Sequence, residues 1–285
     1  MTEYFQQLAR SGLMQQTLLA GLLASVACGV VGSYVVVRRI TYIAGGIAHC
    51  VLGGIGGAIY LRSVMGWSWL SPLHGALVAA LAAAGIIGLV SLRLQQREDT
   101  VISAMWALGM STGLIFLTRT PEYTQDLMTY LFGNVLLVSQ EHLWLLLALD
   151  VGVLGVALGF YKQFLAVCCD EQFARTRGVR VDAVYMLLLM ITAVTVVLLT
   201  TVVGILLVIA LLTIPVAVAG QFARRLWQMM LLATLLAAGF TVAGLALSYE
   251  PDLPPGAFIV VLAAGVYFAV TLGRWVWSLG SGRSA

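Results

Sequence analysis

Long apolar runs separated by short polar stretches cover most of the chain. The runs lie near residues 17–37, 42–61, 72–92, 100–117, 142–161, 183–219, 229–248 and 256–277. A helix that crosses a bilayer needs about 20 predominantly apolar residues, so every run is long enough to cross. A shorter apolar piece at 127–138 is too brief. The pattern predicts an all-α, polytopic bundle of transmembrane helices that forms a single domain over residues 1–285.

The run at 183–219 is about twice the length of one span. Its weakest point is the stretch Thr200-Thr201-Val-Val-Gly204, where two threonines and a glycine interrupt the large apolar side chains. We therefore predict a tight turn at 200–204 with one span on each side of it, which gives nine spans. If the run were a single span, the number would be eight.

The basic residues predict the orientation, because Lys and Arg concentrate in cytoplasmic loops. With the N-terminus outside and nine spans, the inner loops receive twelve of the fifteen basic residues and the outer loops three. The inner set is Arg38, Arg39, Arg93, Arg97, Lys162, Arg175, Arg177, Arg180, Arg224, Arg225, Arg274 and Arg283, and the outer set is Arg10, Arg62 and Arg119. A single span at 183–219 would move Arg224 and Arg225 outside. The charges therefore favour nine spans, with the C-terminus in the cytoplasm.

The composition agrees with membrane embedding and excludes several functions. Hydrophobic residues make up 61% of the chain and charged residues 9%, and the mean hydropathy is +1.01. A soluble domain has about a quarter of its residues charged, so most of this exterior must face lipid. No phosphate-binding loop of the Gly-x4-Gly-Lys-Ser/Thr type is present. We expect no enzyme activity, no cofactor held by this chain and no nucleic-acid partner, and ATP chemistry would come from another subunit.

Two ionisable side chains fall inside predicted spans, His49 and Asp150. His49 lies eleven residues beyond Arg38 and Asp150 twelve residues before Lys162, which places each roughly 16–18 Å along its helix. Both therefore lie near the midplane of a hydrocarbon core about 30 Å thick. An ionisable group at this depth indicates a functional site. The structural alternatives are a histidine that donates to a backbone carbonyl and an aspartate that is hydrogen-bonded within a packed interface.

The loop at 162–182 contains most of the soluble-looking sequence. Asp170 and Glu171 precede Arg175 and Arg177, an order that suits the dipole of a short helix, and Gly178 is placed to end it. We predict a short amphipathic helix on the cytoplasmic face, within residues 165–182. It would serve either as a docking surface for a soluble partner or as a plain connector between spans.

Several segments together resemble the zinc, manganese and iron importer permeases of the ATP-binding-cassette superfamily. They are GVVGSYVVVRRITYIAGGIAHCVLGGIG at 29–56, DLMTYLFGNVLLVS at 126–139, DEQFARTRGV at 170–179, VGILLVIALLTIPVAVA at 203–219 and LPPGAFIVVLAA at 253–264. The resemblance covers the chain from about residue 15 to 272. It implies a fold like that of type II importer permeases, in the bacterial plasma (inner) membrane.

The resemblance also implies partners and a mechanism. The permease would form a homodimer, with cytoplasmic ATP-binding subunits beneath it and an extracytoplasmic metal-binding protein above it. A divalent metal ion would be the cargo, and ATP would bind the partner subunit. The coupling contacts to the ATPase would be Asp170, Glu171, Phe173, Arg175 and Gly178. His49 matches the family's pathway histidine, a ligand type that suits zinc, manganese and iron.

The chain departs from the family at its metal site. The acidic residue that the family has four positions before the histidine is Gly45 here, the proline after the histidine is missing, and Asn134 stands where many members have an acid. We hypothesise that Asp150 supplies the missing carboxylate from another helix, because it lies at the same depth as His49. The thiols near His49 favour zinc, since manganese and ferrous iron prefer more oxygen ligands.

Two other functions stay open. One is a permease for a chelated metal or a cobalamin-like cofactor, which would need a wider pathway and no metal ligands. The other, which we favour less, is a secondary transporter without an ATPase; it would be supported by an inverted repeat of the two halves, and the sequence has none.

Overall fold

The computed structural model describes residues 11–93, 98–120, 133, 138–249, 251 and 253–280. These residues form helices and connecting turns. The helices are α1 (Gly12–Val37), α2 (Thr41–Val64), α3 (Pro72–Arg93), α4 (Glu98–Thr118), α5 (Gln140–Gly159), α6 (Tyr161–Cys169), α7 (Glu171–Thr176), α8 (Val181–Val203), α9 (Ile205–Gly220), α10 (Leu226–Tyr249) and α11 (Pro255–Gly280). The predicted all-α class is confirmed.

Eight of these helices are long and apolar enough to cross a membrane, namely α1, α2, α3, α4, α5, α8, α10 and α11. The ninth apolar helix, α9, has 16 residues and is about 24 Å long, which is shorter than a hydrocarbon core of about 30 Å. The predicted range of eight to nine spans is therefore confirmed for the part of the chain described, with α9 as a short additional segment.

The chain reverses at Gly204, between α8 and α9. Gly204 has φ +87°, a backbone conformation that favours glycine. It follows the last residue of α8 and precedes the first residue of α9. The contacts at the far end of α9 show its direction. The side-chain amide of Gln221 donates a hydrogen bond to the hydroxyl of Thr271, near the end of α11, and Gly220 lies against Met229 in the first turn of α10. That end lies on the side of the bundle where α8 begins. The turn predicted at 200–204 thus exists, and it separates a full span from a shorter returning helix.

Glycines allow α2 to pack backbone to backbone against both of its neighbours. A Cβ atom on Gly54 would lie 2.1 Å from the carbonyl oxygen of Gly75 in α3. On the other side, a Cβ on Gly109 of α4 would lie 2.5 Å from the Cα of Cys50, and one on Gly113 would lie 2.8 Å from the carbonyl carbon of Leu52. Close approach of this kind stabilises helix pairs in lipid, where no hydrophobic effect drives association. It fixes α4 against the segment of α2 that carries His49.

The basic side chains collect at one end of the bundle. Of the basic residues in the described ranges, ten lie at this end, namely Arg38, Arg39, Arg93, Lys162, Arg175, Arg177, Arg180, Arg224, Arg225 and Arg274. Arg62 and Arg119 lie at the opposite end. We call the first the basic end. The helices α6 and α7 lie there as well, so the predicted charge asymmetry coincides with the predicted coupling loop.

Candidate metal-translocation site and coupling segment

His49 lies in the third turn of α2, about 12 Å from the basic end of that helix. Its side chain is 7% exposed, and its ring stacks on the indole of Trp106 in α4, with ring centroids 4.3 Å apart and an interplanar angle of 12°. The Nδ1 atom is buried and makes no hydrogen bond. Leaving a buried polar atom without a partner is costly, and such atoms in native structures call for a functional explanation.

The other two histidines have structural partners. The imidazole of His74 lies 2.7 Å from the hydroxyl of Ser71, and the imidazole of His142 lies 2.8 Å from the hydroxyl of Ser139, which caps α5. Each of these rings therefore stabilises the start of a helix. Among the three histidines, His49 is the one whose imidazole makes no hydrogen bond to the part of the chain that the structure describes.

Gly45 lies one helical turn before His49, and the atoms nearest to it are apolar. A Cβ atom at position 45 would lie 3.7 Å from Cζ3 of Trp106 and 3.8 Å from Cδ1 of Ile209. These are ordinary van der Waals distances, so a side chain at position 45 would point toward the indole that covers His49. Trp106 and Ile209 fill the space beside position 45 with apolar atoms, and no carboxylate faces His49 from this turn.

Trp106 also lines a groove on the outer face of α4. The groove has a volume of about 670 Å³, and its lining includes Leu52, Ser103, Met110 and Ser111. Most residues of α4 are exposed, although the helix is long and apolar enough to span a membrane. The indole thus covers the imidazole of His49 on the side of the groove. Sequence reasoning missed Trp106, because nothing in the spacing of α2 and α4 identifies which residues stack.

Asp150 lies in α5 and packs against α1. It is 4% exposed and sits beside the backbone of Ala27 and the thiol of Cys28, yet neither carboxylate oxygen has a partner with hydrogen-bond geometry. No hydrogen bond or ion pair links it with His49, which faces α4. Within the described ranges, no group of three or more His, Cys, Asp or Glu side chains could hold a metal ion. The role of Asp150 as a ligand stays a prediction, and Asn134 lies outside the described residues.

The loop at 162–182 contains α6 and α7, and α7 is the short helix that the charges at 170–177 predict. Asp170 caps α7 by accepting a hydrogen bond from the backbone N–H of Phe173 at 3.0 Å. Gly178 follows the helix with φ +77°. Two of the five predicted coupling residues therefore define the ends of a helix of six residues.

The other three predicted coupling residues have different environments. Glu171 forms an ion pair with Arg38, and Arg175 forms one with Asp182 at 2.5 Å. Phe173 is 53% exposed, and its ring lies 5.2 Å from the guanidinium of Arg177. Of the five, Phe173 is thus the side chain that presents a large apolar surface to a partner.

The end of α1 anchors this coupling segment to the bundle. Arg38 pairs with Glu171 of α7 and lies over the ring of Tyr185 in α8, at 5.4 Å from its centroid. One turn earlier, the hydroxyl of Tyr34 donates to the carbonyl of Ala157 at 3.1 Å, and its ring contacts Phe164 of α6 edge-on. Sequence reasoning assigned Arg38 only to the charge asymmetry, and its partner lies 133 residues away along the chain.

Comparison with known proteins identifies the family. The model of the ABC 3 transport family matches residues 10–274. A probable metal transport system membrane protein of Chlamydia trachomatis is 38% identical, over 90% of this chain and 87% of the relative. A manganese transport system membrane protein of Halalkalibacterium halodurans is 32% identical, over 94% of this chain and 89% of the relative.

Among solved structures, PsaBC from Streptococcus pneumoniae in complex with a Fab has a similar fold. The TM-score is 0.81 at 27% sequence identity, and the match covers 94% of each chain. The apolar helices, their order and the family match agree with one another, and the resemblance inferred from the sequence motifs is confirmed. The chain belongs to the ABC 3 transport family, as a multi-pass membrane permease of the metal-transporting type.

Proposed function

We propose that this chain is the membrane-spanning subunit of an ATP-driven importer that moves a divalent metal ion into the cytoplasm of a bacterium. The observation that carries the proposal is the family match over residues 10–274, together with relatives whose names specify metal transport. The basic end would face the cytoplasm, because Lys and Arg concentrate on that side of a membrane. The N-terminus would then lie outside and the C-terminus inside.

The groove on α4 supports a homodimer in which the metal passes between two copies. Ser103 and Ser111 line this groove, on a helix that is mostly exposed in the single chain. Polar groups within a span are expensive in lipid and face a protein interface or a water-filled path instead. A second copy placed against α4 would cover these serines and leave His49 of each copy just behind the path.

His49 would be the metal ligand beside this path, through a ring nitrogen, because Trp106 stacks on the face of the imidazole and leaves its in-plane nitrogens free. It is a buried imidazole with an unpartnered nitrogen, about 12 Å from the basic end of its helix. A metal ion cannot enter hydrocarbon without ligands, since desolvating a charge is prohibitively costly. Relatives from Halalkalibacterium halodurans and Listeria innocua are named as manganese transport proteins, while a lone imidazole near thiols suits zinc. Both ions therefore belong in the test.

The cytoplasmic ATP-binding subunit would dock on α7, with Phe173 as its apolar contact. Asp170 and Gly178 shape the helix, and Glu171 and Arg175 hold it to α1 and α8. Closure of the two ATPase subunits would then push α7. Because ion pairs attach α7 to α1 and to α8, these spans would move with it as rigid bodies. An extracytoplasmic binding protein would deliver the metal at the opposite end.

The test is uptake of Mn²⁺, Zn²⁺, Fe²⁺ and a chelated metal by cells that express the chain with its ATP-binding subunit. We expect uptake of at least one free ion, with loss of most of it in His49→Ala. His74→Ala is the matched control, because His74 supports a helix start at the opposite end. Uptake of the chelate alone, or equal rates in both variants, would contradict the proposal.

Asp150→Asn belongs to the same experiment. The substitution keeps the volume of the side chain and removes its charge, so a ligand role predicts lower uptake of the transported ion. Unchanged uptake would limit Asp150 to packing against Ala27 and Cys28.

A further inference from the structure

A long groove runs along the outer surface of α5 and α8, starting at the basic end. Its first part has a volume of about 520 Å³ and is lined by Phe160, Gln163, Arg177, Arg180 and Val184, among others. Its second part, about 550 Å³, lies between α5 and α8. Leu187 lines both parts, so the two adjoin at this residue. We call the first part the basic mouth and the second the apolar channel.

The basic mouth carries net positive charge. Gln163, Arg177 and Arg180 are exposed there. The acidic side chains nearby are already engaged, because Asp182 pairs with Arg175 and Glu171 pairs with Arg38. Arg177 contacts the ring of Phe173, and Arg180 has no ion pair with any described residue. The mouth therefore offers two guanidinium groups and an amide to an anion at the level of the membrane surface.

The apolar channel has the dimensions of one acyl chain. On α8 it is lined by Leu187, Met190, Ile191, Val194 and Leu198, a stripe at helical spacing whose side chains are all half-buried. From Leu187 to Leu198 the helix rises about 16 Å. One leaflet of a hydrocarbon core about 30 Å thick has nearly the same depth. On α5 the channel passes Gly152, where a Cβ atom would meet nothing within 4 Å.

We propose that this groove binds one anionic phospholipid from the leaflet at the basic end. The lipid phosphate binds Arg177 and Arg180, and one acyl chain lies in the apolar channel between α5 and α8. Basic pockets between transmembrane helices bind anionic head groups in this way. Arg177 caps the end of α7, so the bound lipid contacts the coupling segment directly. The inference rests on the groove and its charges, and it holds whether or not the proposed metal cargo is correct.

The test is native mass spectrometry of the purified full-length chain, released from mixed micelles of phosphatidylglycerol and phosphatidylcholine with identical acyl chains. We expect the wild type to retain phosphatidylglycerol in preference to phosphatidylcholine. The double variant Arg177→Gln with Arg180→Gln should bind phosphatidylglycerol about 30-fold more weakly, since each basic residue near the surface contributes about a factor of five. The matched control is Arg224→Gln with Arg225→Gln, which removes the same charge at the same end but outside the groove.

A second pair of variants tests the acyl chain. Gly152→Phe places a ring in the apolar channel and should reduce retention of the lipid, whereas Gly155→Phe, on the same helix but outside the channel lining, should not. Excess inorganic phosphate should compete weakly, because it lacks the acyl chain. The proposal is wrong if both arginine pairs have the same effect, if phosphatidylcholine is retained equally, or if inorganic phosphate displaces the lipid completely.

Discussion

At the scale of single residues, the contact between His49 and Trp106 determines how the imidazole is presented. A stacked indole fixes the plane of the ring, and it covers the side of the ring that faces the groove on α4. Metal ligands bind more tightly when neighbouring groups hold them in the right orientation. Since position 45 supplies no carboxylate, the orientation of this one ring would have more weight in the metal site that we propose than in a site with two ligands on one helix.

We expect Trp106→Ala to raise the KM for uptake of the transported metal several-fold, because the imidazole of His49 gains freedom to rotate. Trp106→Phe keeps an aromatic ring in the stack and should have a smaller effect. Met110→Ala is the control, since Met110 lines the same groove and is not part of the ring stack on His49. The measurement is the concentration dependence of uptake. An equal rise in Met110→Ala would show that the width of the groove matters and the stack does not.

The position of His49 could be predicted from the sequence, but its surroundings could not. An ionisable residue inside an apolar run is visible in any hydropathy pattern, and its depth follows from the rise of a helix. The stack on Trp106 depends on how α2 and α4 dock through Gly109 and Gly113. Glycines at this spacing indicate close packing, yet they do not say which helix the partner is.

At the scale of elements, the end of α1 joins the coupling segment to the bundle. Arg38 contacts α7 through Glu171 and α8 through the ring of Tyr185, and Tyr34 contacts α5 and α6. In the coupling that we propose, a push on α7 would reach α1 through a charged pair and not only through the covalent connection to α8. Since α1 is among the most buried helices of the bundle, a displacement of its end would be passed to many neighbours.

Charge reversal at this contact tests the connection. Arg38→Glu and Glu171→Arg, each alone, should lower the amount of metal moved per ATP hydrolysed several-fold, because like charges then face each other. The double variant should recover much of the loss. The control is Arg93→Glu, a charge reversal at the same end of the bundle that lies on α3 and not on α1 or α7. If the double variant is as poor as the single ones, the ion pair does not transmit the movement.

The elements themselves were largely predictable, and the contacts between them were not. The turn at Gly204 was predicted because an apolar run too long for one span is interrupted there by small and polar residues. The helix α7 was predicted because acidic residues precede basic ones in this loop and Gly178 follows them. We predicted a span after the turn at Gly204 because the sequence there is strongly apolar, although only 15 residues lie between Gly204 and the end of the run at 219. The pairing of Arg38 with Glu171 is set by the folded bundle, and no local pattern encodes it.

At the scale of the whole molecule, the distribution of charge is the feature that ties the fold to the membrane. Ten basic residues at one end and two at the other make the described part of the bundle strongly asymmetric. The same end carries α6 and α7 and the mouth of the lipid groove. The orientation that we propose, with the basic end in the cytoplasm, would therefore serve three purposes, since cytoplasmic loops are basic, ATP is cytoplasmic and anionic lipids attract arginine.

The cysteines of the chain allow this orientation to be measured without engineering. Cys169 is exposed at the basic end, whereas Cys28, Cys50 and Cys168 are buried. Burial raises the pKa of the Cys168 thiol to about 12, so this neighbour stays protonated near pH 7.5 and does not react as a thiolate. A membrane-impermeant maleimide should therefore label Cys169 in inside-out vesicles and leave right-side-out vesicles unlabelled. Cys169→Ser should abolish the signal. Labelling of right-side-out vesicles alone would place the basic end outside and would reverse the proposed direction of transport.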